Sequence, residues 1–341
     1  MVNFFPEPIL ALETSCDETS AAVLFGRKVL SNVVSSQATL HEKWGGVVPE
    51  MAARAHVEAI LPVIQEALLN ANMNLAEIKG IAVANRPGLV GSLSIGVCAA
   101  KALAMSLDTP LIGVHHLEGH ILSVLADVGQ STLFSLDRFP HLCLMVSGGH
   151  TELVEVICPC QYKLLGQTLD DAAGEAFDKS ARLMGLGSGG GKAIQEASFG
   201  GDPNRYSLPR GLLRDPYNFS FSGLKTAVLR LIEQQVETIV LKDLAASIQE
   251  AVAEVLAQKA LYAAKEQKSK MLTLVGGVAA NKRLRELLTL GCHQLGIEFY
   301  TPPFELCTDN AAMIGVVGSI RLARGEKDGH GMDTLANAPL P

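Results

Sequence analysis

Short apolar runs alternate with longer amphipathic stretches along the first third of the chain. The runs lie between turn-forming residues, which is typical of β-strands. Pro49 and Glu50 begin a helical pattern, since proline and acidic residues are favoured in the first turn of a helix. The predicted strands are Ile9–Leu12, Ala21–Phe25, Val29–Val34, Ile81–Ala84 and Leu111–His115, and the predicted helices are Pro49–Ala71 and Leu93–Met105. The first three strands predict an antiparallel meander.

The same order of elements recurs in the second half. The predicted strands there are Leu142–Val146, Thr151–Ile157, Tyr162–Gln167 and Met271–Val275, and the predicted helices are Ala172–Met184, one from Ala279 and one over 310–325. Two such strand–turn–strand units are typical of the actin, sugar-kinase and chaperone-ATPase superfamily, which has a ribonuclease H-like fold. We therefore predict a duplicated α/β fold of two lobes around a central cleft. The lobes are residues 1–130, with the 310–325 helix packed back on them, and residues 131–309.

The amino-acid composition is consistent with this two-lobed fold. Hydrophobic residues make up 48% of the 341 residues and charged residues only 18%, so both lobes can bury a core. The net charge of −7 argues against a protein that coats nucleic acid by charge alone. An RNA partner would need a local basic patch, and the alternative is an ordinary solvated face. Candidate basic residues are Arg205, Arg210, Arg214, Lys225 and Arg230, and the run Lys282, Arg283 and Arg285.

The seven cysteines are scattered and contain no Cys-x-x-Cys pair, which suits a reducing cytosol. The first residues, MVNFFPEP, lack the pattern of an export signal, and we find no run of about 18 apolar residues. We expect a cytoplasmic protein with no membrane partner.

The segment His116-Leu-Glu-Gly-His120 places two imidazoles four residues apart. On a helix they share one face and can bind one metal ion; one buried and one surface histidine is the alternative. A further oxygen ligand would leave a position open for substrate or water. Asp309 is the candidate, although it could instead cap the helix that follows it.

This spacing differs from that of a zinc peptidase, whose general base directly follows the first histidine. Here Glu118 comes second, roughly 200° around a helix from His116 at 3.6 residues per turn. Glu118 would then point away from the metal, which excludes the peptidase interpretation.

Two glycine turns follow predicted strands. Met145-Val-Ser-Gly-Gly149 lets backbone amides approach an anionic ligand, or it is a plain hairpin turn. Gly276-Gly277 repeats the feature, and Asn281 after it can bind a nucleoside or cap a helix. The glycine-rich segment from Gly185 to Lys192 fails the pattern of a P-loop, and we interpret it as a flexible loop.

Acidic residues supply the remaining candidates. Asp17 and Glu18 lie in the first turn, where a carboxylate can act as general base or bind a metal-bound water, or is simply solvated. Asp178 lies inside a predicted helix beside Lys179, and a ribose or amine contact requires that this helix line the cleft.

Eight motifs together resemble the TsaD family of bacterial type, which makes threonylcarbamoyladenosine in tRNA. They are LETSCDETS, HEKWGGVVPEMAARAH, HHLEGH, VSGGHTELVEV, LDDAAGEAFDK, NFSFSGLKTA, GGVAANKRLR and CTDNAAMIG. The resemblance implies transfer of the threonylcarbamoyl group from threonylcarbamoyl-AMP to the exocyclic amine of the adenosine 3′ of the anticodon. The tRNAs concerned read codons that begin with adenosine.

The resemblance also implies residues and partners. It implies one iron or zinc ion, a scaffold paralogue, TsaB, and a small ATPase, TsaE. The implied metal ligands are His116, His120 and Asp309, and the implied substrate contacts are Met145, Val146, Ser147, Gly148, Gly149, Asp178, Gly191 and Asn281. Asp17 or Glu18 is our hypothesis for the proton acceptor.

Some positions depart from the family pattern. Ser188-Gly-Gly-Gly-Lys192 replaces a Tyr-Pro-Gly-Gly-Pro segment, Gln195 stands where an acid is frequent, and Arg86 replaces a small residue. Met145 replaces a tyrosine ligand of archaeal and eukaryotic relatives. Two rival functions are the scaffold paralogue, which lacks the metal histidines, and a phosphotransferase of the same superfamily.

Overall fold

The computed structural model describes residues 2–42, 44–129, 134–187, 189–234 and 238–341. The chain divides into two compact units. The first comprises Met1–Asp137, Cys158–Gln161 and Thr308–Pro341, and the second Arg138–Ile157 and Tyr162–Cys307. The predicted lobe boundary at residues 130 and 131 lies outside the described residues. The predicted cleft between lobes stays a prediction.

The first unit is built on a five-stranded sheet in the order β3-β2-β1-β4-β5. Its strands are β1 (Pro8–Glu13), β2 (Glu18–Phe25), β3 (Lys28–Ser36), β4 (Gly80–Arg86) and β5 (Leu111–His115). Its first helices are α1 (Ala38–Glu42), α2 (Pro49–Asn70), α3 (Val90–Leu107) and α4 (His116–Leu122). β1 pairs antiparallel with β2 and β2 with β3, which confirms the predicted meander.

The second unit repeats this topology with the strand order β10-β9-β6-β7-β8. Its strands are β6 (His141–Val146), β7 (Thr151–Cys158), β8 (Gln161–Gln167), β9 (Met271–Val275) and β10 (Glu298–Tyr300). Its helices are α5 (Ala173–Leu183), α6 (Gly190–Ala197), α7 (Ser222–Gln234), α8 (Leu241–Glu266) and α9 (Lys282–Leu295). In both units an antiparallel pair is extended by a parallel strand on the other side. The predicted recurrence of elements is confirmed at this level.

Several elements of the second unit differ from the sequence prediction, which contained no counterpart of α6, α7, α8 or β10. α8 has 26 residues and buries more than half of them in the core, many of them alanines. Its buried positions cover most of the helix and leave a narrow polar stripe with Glu250 and Glu254, so the one-sided period by which an amphipathic helix is identified is weak. The helix expected from Ala279 begins three residues later at Lys282, because a short 3-10 turn occupies Gly277–Ala280.

The last helix, α10 (Ala311–Ala323), packs against β1, β2, β4 and α4 of the first unit. It begins one residue after the predicted start. Gly315 lets it approach the sheet, since an added Cβ would lie 2.2 Å from Leu24 Cδ1. The predicted 310–325 helix therefore packs on elements formed by the first 125 residues.

By length and composition alone, one helix among the described residues can cross a membrane. This is α3, with a mean hydropathy of 1.6 over 18 residues. α3 is not an unbroken apolar run of the kind that the sequence analysis looked for, because it contains Lys101 and three serines. The face of α3 that carries Leu93, Val97 and Ala100 is buried, and apolar core helices pass the same test. That the protein has no membrane partner stays a prediction.

Candidate active site

His116 and His120 lie one turn apart on α4, which begins directly after β5. Their ring centroids are 4.7 Å apart. Asp309 Oδ1 lies 3.1 Å from His120 Nε2 and 3.6 Å from His116 Nε2. One ligand atom from each residue lies within 4.8 Å of the other two. The three side chains, all in the first unit, therefore form a group that can hold a metal ion.

Asp309 is not the cap of the helix that follows it. Asn310 is the N-cap residue of α10, and its side chain accepts a hydrogen bond from Met313 N at 3.1 Å. The sequence alternative for Asp309 is therefore wrong. Its carboxylate, 24% exposed, is directed towards the two histidines.

Glu13, in β1, supports His116 from behind, and the sequence analysis missed it. Its buried Oε2 accepts a hydrogen bond from His116 Nδ1 at 3.1 Å, and its Oε1 accepts one from Ser15 N at 2.6 Å. His116 Nδ1 also lies 3.1 Å from Ser15 Oγ. Because Nδ1–H donates to Glu13, Nε2 is the ring atom left for a metal.

The charges around His116 favour a cation. Burial by itself lowers the pKa of His116, but the charges of Glu13 and then of Asp309 outweigh it and raise the pKa to about 9. A metal ion at Nε2 would take the place of a proton, since histidine binds metals as the neutral ring. Two imidazole nitrogens and one carboxylate oxygen suit iron or zinc and leave a position open. The residues present therefore match the implied ion.

Asp17 lies in the turn between β1 and β2, and Glu18 is the first residue of β2. His56 of α2 holds this turn. His56 Nε2 donates to Cys16 O at 3.0 Å, so Nδ1 accepts from Thr19 Oγ1 at 2.8 Å. Glu18 also accepts a hydrogen bond from Ser36 Oγ at 3.2 Å. Burial, then the charges of Asp309 and Asp17, raise the pKa of Glu18 well above its usual range.

Glu118 points away from the metal ligands. It is fully buried, and its Oε2 accepts a hydrogen bond from Arg321 Nη2 of α10 at 2.8 Å. The carboxylate therefore forms a structural ion pair, and the exclusion of a zinc-peptidase site by helix geometry is consistent with this contact.

In the second unit, Met145 and Val146 end β6 and Ser147–Gly149 turn towards β7. The turn is closed by Ser147 N, which donates to His150 O at 2.8 Å. The first turn of α5 packs on it, since a Cβ added to Gly174 would lie 2.5 Å from Ser147 O. Cβ atoms added to Gly148 or Gly149 would meet nothing within 4 Å among the described residues. The glycine turn thus has open space beside its backbone.

The second glycine turn lies next to the first, because β9 is parallel to β6. Gly276 has φ +89°, and an added Cβ would lie 2.4 Å from Val146 O. Only glycine allows this approach. Asn281 caps α9 by accepting from Leu284 N at 3.0 Å, and its Nδ2 donates to Gln249 Oε1 at 3.0 Å. The capping alternative for Asn281 is confirmed, and a nucleoside contact stays a prediction.

Asp178 and the glycine-rich segment meet within the second unit. Gly190 begins α6, and an added Cβ there would lie 2.2 Å from Asp178 Oδ1. Gly191 follows in the first turn of α6. Our prediction of a flexible loop is therefore wrong for residues 190–192, which are helical, while Ser188 lies outside the described residues.

Several of the candidate basic residues are committed to structural contacts. Arg283 pairs with Glu250 at 2.7 Å and with Glu286 at 3.3 Å, and Arg210 pairs with Glu254 at 2.9 Å. Arg285 donates to Ala279 O. These three arginines stabilise the second unit, and an RNA surface would have to draw on other residues.

Comparisons with known proteins agree with these observations. The family described as TsaD, tRNA N6-adenosine threonylcarbamoyltransferase, matches residues 28–316. A relative from Syntrophotalea carbinolica is 48% identical over 97% of this chain and 96% of its own length. One from Thermosynechococcus vestitus is 49% identical over 94% of this chain and 91% of its own length. Both relatives are named tRNA N6-adenosine threonylcarbamoyltransferase.

Solved structures of more distant proteins share the fold. HypF of T. kodakarensis matches 95% of this chain and 49% of its own, with a TM-score of 0.59 at 14% identity. Component A of the Acidaminococcus fermentans (R)-2-hydroxyglutaryl-CoA dehydratase matches 92% of this chain and 96% of its own, with a TM-score of 0.53 at 16% identity. The predicted α/β fold of the actin and sugar-kinase type is confirmed. By sequence, the chain belongs to the tRNA N6-adenosine threonylcarbamoyltransferase family.

Proposed function

We propose that this protein transfers a threonylcarbamoyl group from threonylcarbamoyl-AMP to N6 of an adenosine in tRNA. The adenosine is the one 3′ of the anticodon in tRNAs that read codons beginning with A. The observation that carries the proposal is the His116–His120–Asp309 group, which can hold one metal ion. Near-full-length relatives named for this transfer support it.

In this proposal, residues of the first unit act on the carbamoyl carbonyl of the substrate. His116, His120 and Asp309 would hold an iron or zinc ion, which would supply Lewis acidity for the carbamoyl carbonyl. Glu13 holds the His116 ring so that Nε2 faces Asp309. Glu118 and Arg321 hold α4, which carries both histidines, against α10.

The second unit supplies the groups for the adenylate. The amides of Ser147, Gly148 and Gly149, beside the first turn of α5, suit a phosphate because backbone N–H groups at such a site attract anions. The open space at Gly148 and Gly149 leaves room for the ligand. We assign Met145, Val146, Asp178, Gly191 and Asn281 to the same ligand.

The transfer itself moves one acyl group and one proton. N6 of adenosine attacks the carbamoyl carbon, a C–N bond forms, and the C–O bond to phosphate breaks with its electron pair leaving on AMP. The N6 proton goes to the Asp17–Glu18 pair. These carboxyl groups interact closely, so the pair rather than either residue is the proposed acceptor. Single-turnover transfer by Asp17→Asn and Glu18→Gln tests this step.

The experiment that tests the function is a reconstitution. The purified protein, with TsaB and TsaE as proposed partners, is incubated with the adenylate synthase, threonine, bicarbonate, ATP and unmodified tRNA. Nucleoside analysis should then show threonylcarbamoyladenosine. Robust ATP turnover on a small acceptor, without modified tRNA, would instead support the phosphotransferase alternative.

A further inference from the structure

Residues 328–338 run beside β5 in the first unit, from Leu111 at its start to His115 at its end, and contact β4 at Asn85. They begin at β5, the edge strand of the sheet. Asp328 N donates to Leu111 O at 2.7 Å, and Asp328 Oδ2 accepts from Gly113 N at 2.7 Å. The segment therefore satisfies backbone groups that an edge strand otherwise leaves unpaired.

The middle of the segment is tied to α3 and β4. Lys101 Nζ donates to Met332 O at 2.6 Å. Asn85 binds the segment at two residues. Its side-chain Nδ2 donates to Asp333 O and its backbone carbonyl accepts from Leu335 N, both at 3.1 Å. Met332 lies over Gly113, where an added Cβ would be 2.5 Å from its Sδ. These contacts fix the path of residues 332–335 and therefore the position of the residues that follow.

The far end reaches residues directly behind the metal ligands. Ala338 O accepts a hydrogen bond from His115 Nε2 at 3.2 Å, and His115 is the buried N-cap residue directly before His116. Ala336 O accepts from Gly88 N at 3.1 Å. Gly88 is pressed against Ser15, since an added Cβ would lie 2.5 Å from Ser15 O.

We propose that residues 328–338 form a positioning strap for the metal centre. The strap binds His115, the residue at which α4 begins. It also binds Gly88, which packs against Ser15, and Ser15 in turn contacts His116 Nδ1. Two of the strap's hydrogen bonds go to these supports, from His115 and Gly88, and those described above include none to the three ligands. The proposal rests on the metal centre proposed above. Groups that orient ligands from behind contribute about 10- to 100-fold to metal affinity.

The test is a titration of the purified metal-free protein with Co²⁺, followed by visible absorption. Deletion of residues 335–341 removes the bonds at Leu335, Ala336 and Ala338 and keeps those at Asp328 and Met332. We expect about 10-fold weaker Co²⁺ binding and an altered spectrum, with cooperative urea unfolding retained. Asn337→Ala is the matched control, because its exposed side chain leaves the strap backbone intact, and it should bind as the unaltered protein does.

Point variants in the full chain test the same contact without a truncation. His115→Leu removes the donor to Ala338 O and should weaken Co²⁺ binding, whereas His115→Gln keeps an N–H donor and should restore much of it. Equal Co²⁺ affinity and spectrum in the deletion and unaltered proteins, or equal losses in the Leu and Gln variants, would overturn the strap alone. Failure of the unaltered protein to bind Co²⁺ would contradict the metal centre as well.

Discussion

Glu13 and His116 are 103 positions apart in the chain, and Glu13 Oε2 lies 3.1 Å from His116 Nδ1 with both side chains buried. β1 ends at Glu13 and β5 ends just before His116, and both strands pair with β4 in parallel. The contact is therefore a product of the sheet order. It fixes which nitrogen of His116 faces Asp309.

Replacing Glu13 tests this support. Glu13→Leu should weaken Co²⁺ or Zn²⁺ binding by at least about 10-fold, because the carboxylate that orients a ligating histidine is lost. Isothermal titration with each ion measures the change. Glu7→Gln, an exposed carboxyl before β1, is the control. An unchanged affinity in Glu13→Leu would show that His116 needs no such support.

The two glycine turns of the second unit should respond differently to alanine. Gly149→Ala adds a methyl group to open space, so its melting temperature should stay the same while nucleotide affinity falls. Gly276→Ala forces a Cβ to 2.4 Å from Val146 O at φ +89° and should lower stability by several kcal/mol. Calorimetry and AMP titration separate the two effects. Normal AMP binding by Gly149→Ala would remove this turn from the proposed adenylate site.

The buried pair of Glu118 and Arg321 should matter for stability. Arg321→Met leaves a buried carboxylate without its cation, which costs about 3–5 kcal/mol, as urea unfolding would measure. Glu326→Gln removes the other, half-exposed partner of Arg321 and should cost less than about 1 kcal/mol. If Glu118→Gln lost transfer without losing stability, Glu118 would have a catalytic role that its position does not provide.

His141, at the start of β6, predicts a specific acid sensitivity. Burial lowers the pKa of His141 from 6.5 to about 4. The unfolded chain therefore binds this proton below pH 6.5 while the folded chain does not, so stability falls as the pH drops from 6.5 towards 4. His141→Leu should remove about 2 kcal/mol of the loss between pH 7 and pH 5, as measured by urea unfolding. Identical pH profiles for the two proteins would contradict the buried neutral histidine.

The sequence predicted those elements whose pattern is local. The strands of both sheets except β10, and the start of α2 at Pro49, follow from apolar runs and turn residues, whereas the three-residue β10 was not predicted. α8 was missed because its buried positions cover most of the helix and leave only a narrow polar stripe, which includes Glu250 and Glu254. The start of α9 was placed too early because Asn281, rather than the glycine turn, caps it.

The sequence predicted the metal ligands of the candidate site, but it did not predict the residues that hold those ligands in place. Four-residue spacing identified His116 and His120, Asp309 was the candidate for a further oxygen ligand, and the family resemblance implied the same three residues. Nothing in the local sequence marks Glu13 as a partner of His116, because the pairing depends on the order of strands in the sheet. The role of Asp309 was ambiguous between cap and ligand until the adjacent Asn310 proved to be the cap.

The most direct test of the central claim is single-turnover transfer of labelled threonylcarbamoyl to tRNA, with bound metal measured in the same samples. His120→Ala and Asp309→Ala should each lose the metal and slow transfer by about 100-fold or more. His293→Ala, an exposed histidine on α9, should behave as the unaltered protein. Transfer at the unaltered rate by either ligand variant, with no metal bound, would contradict the account.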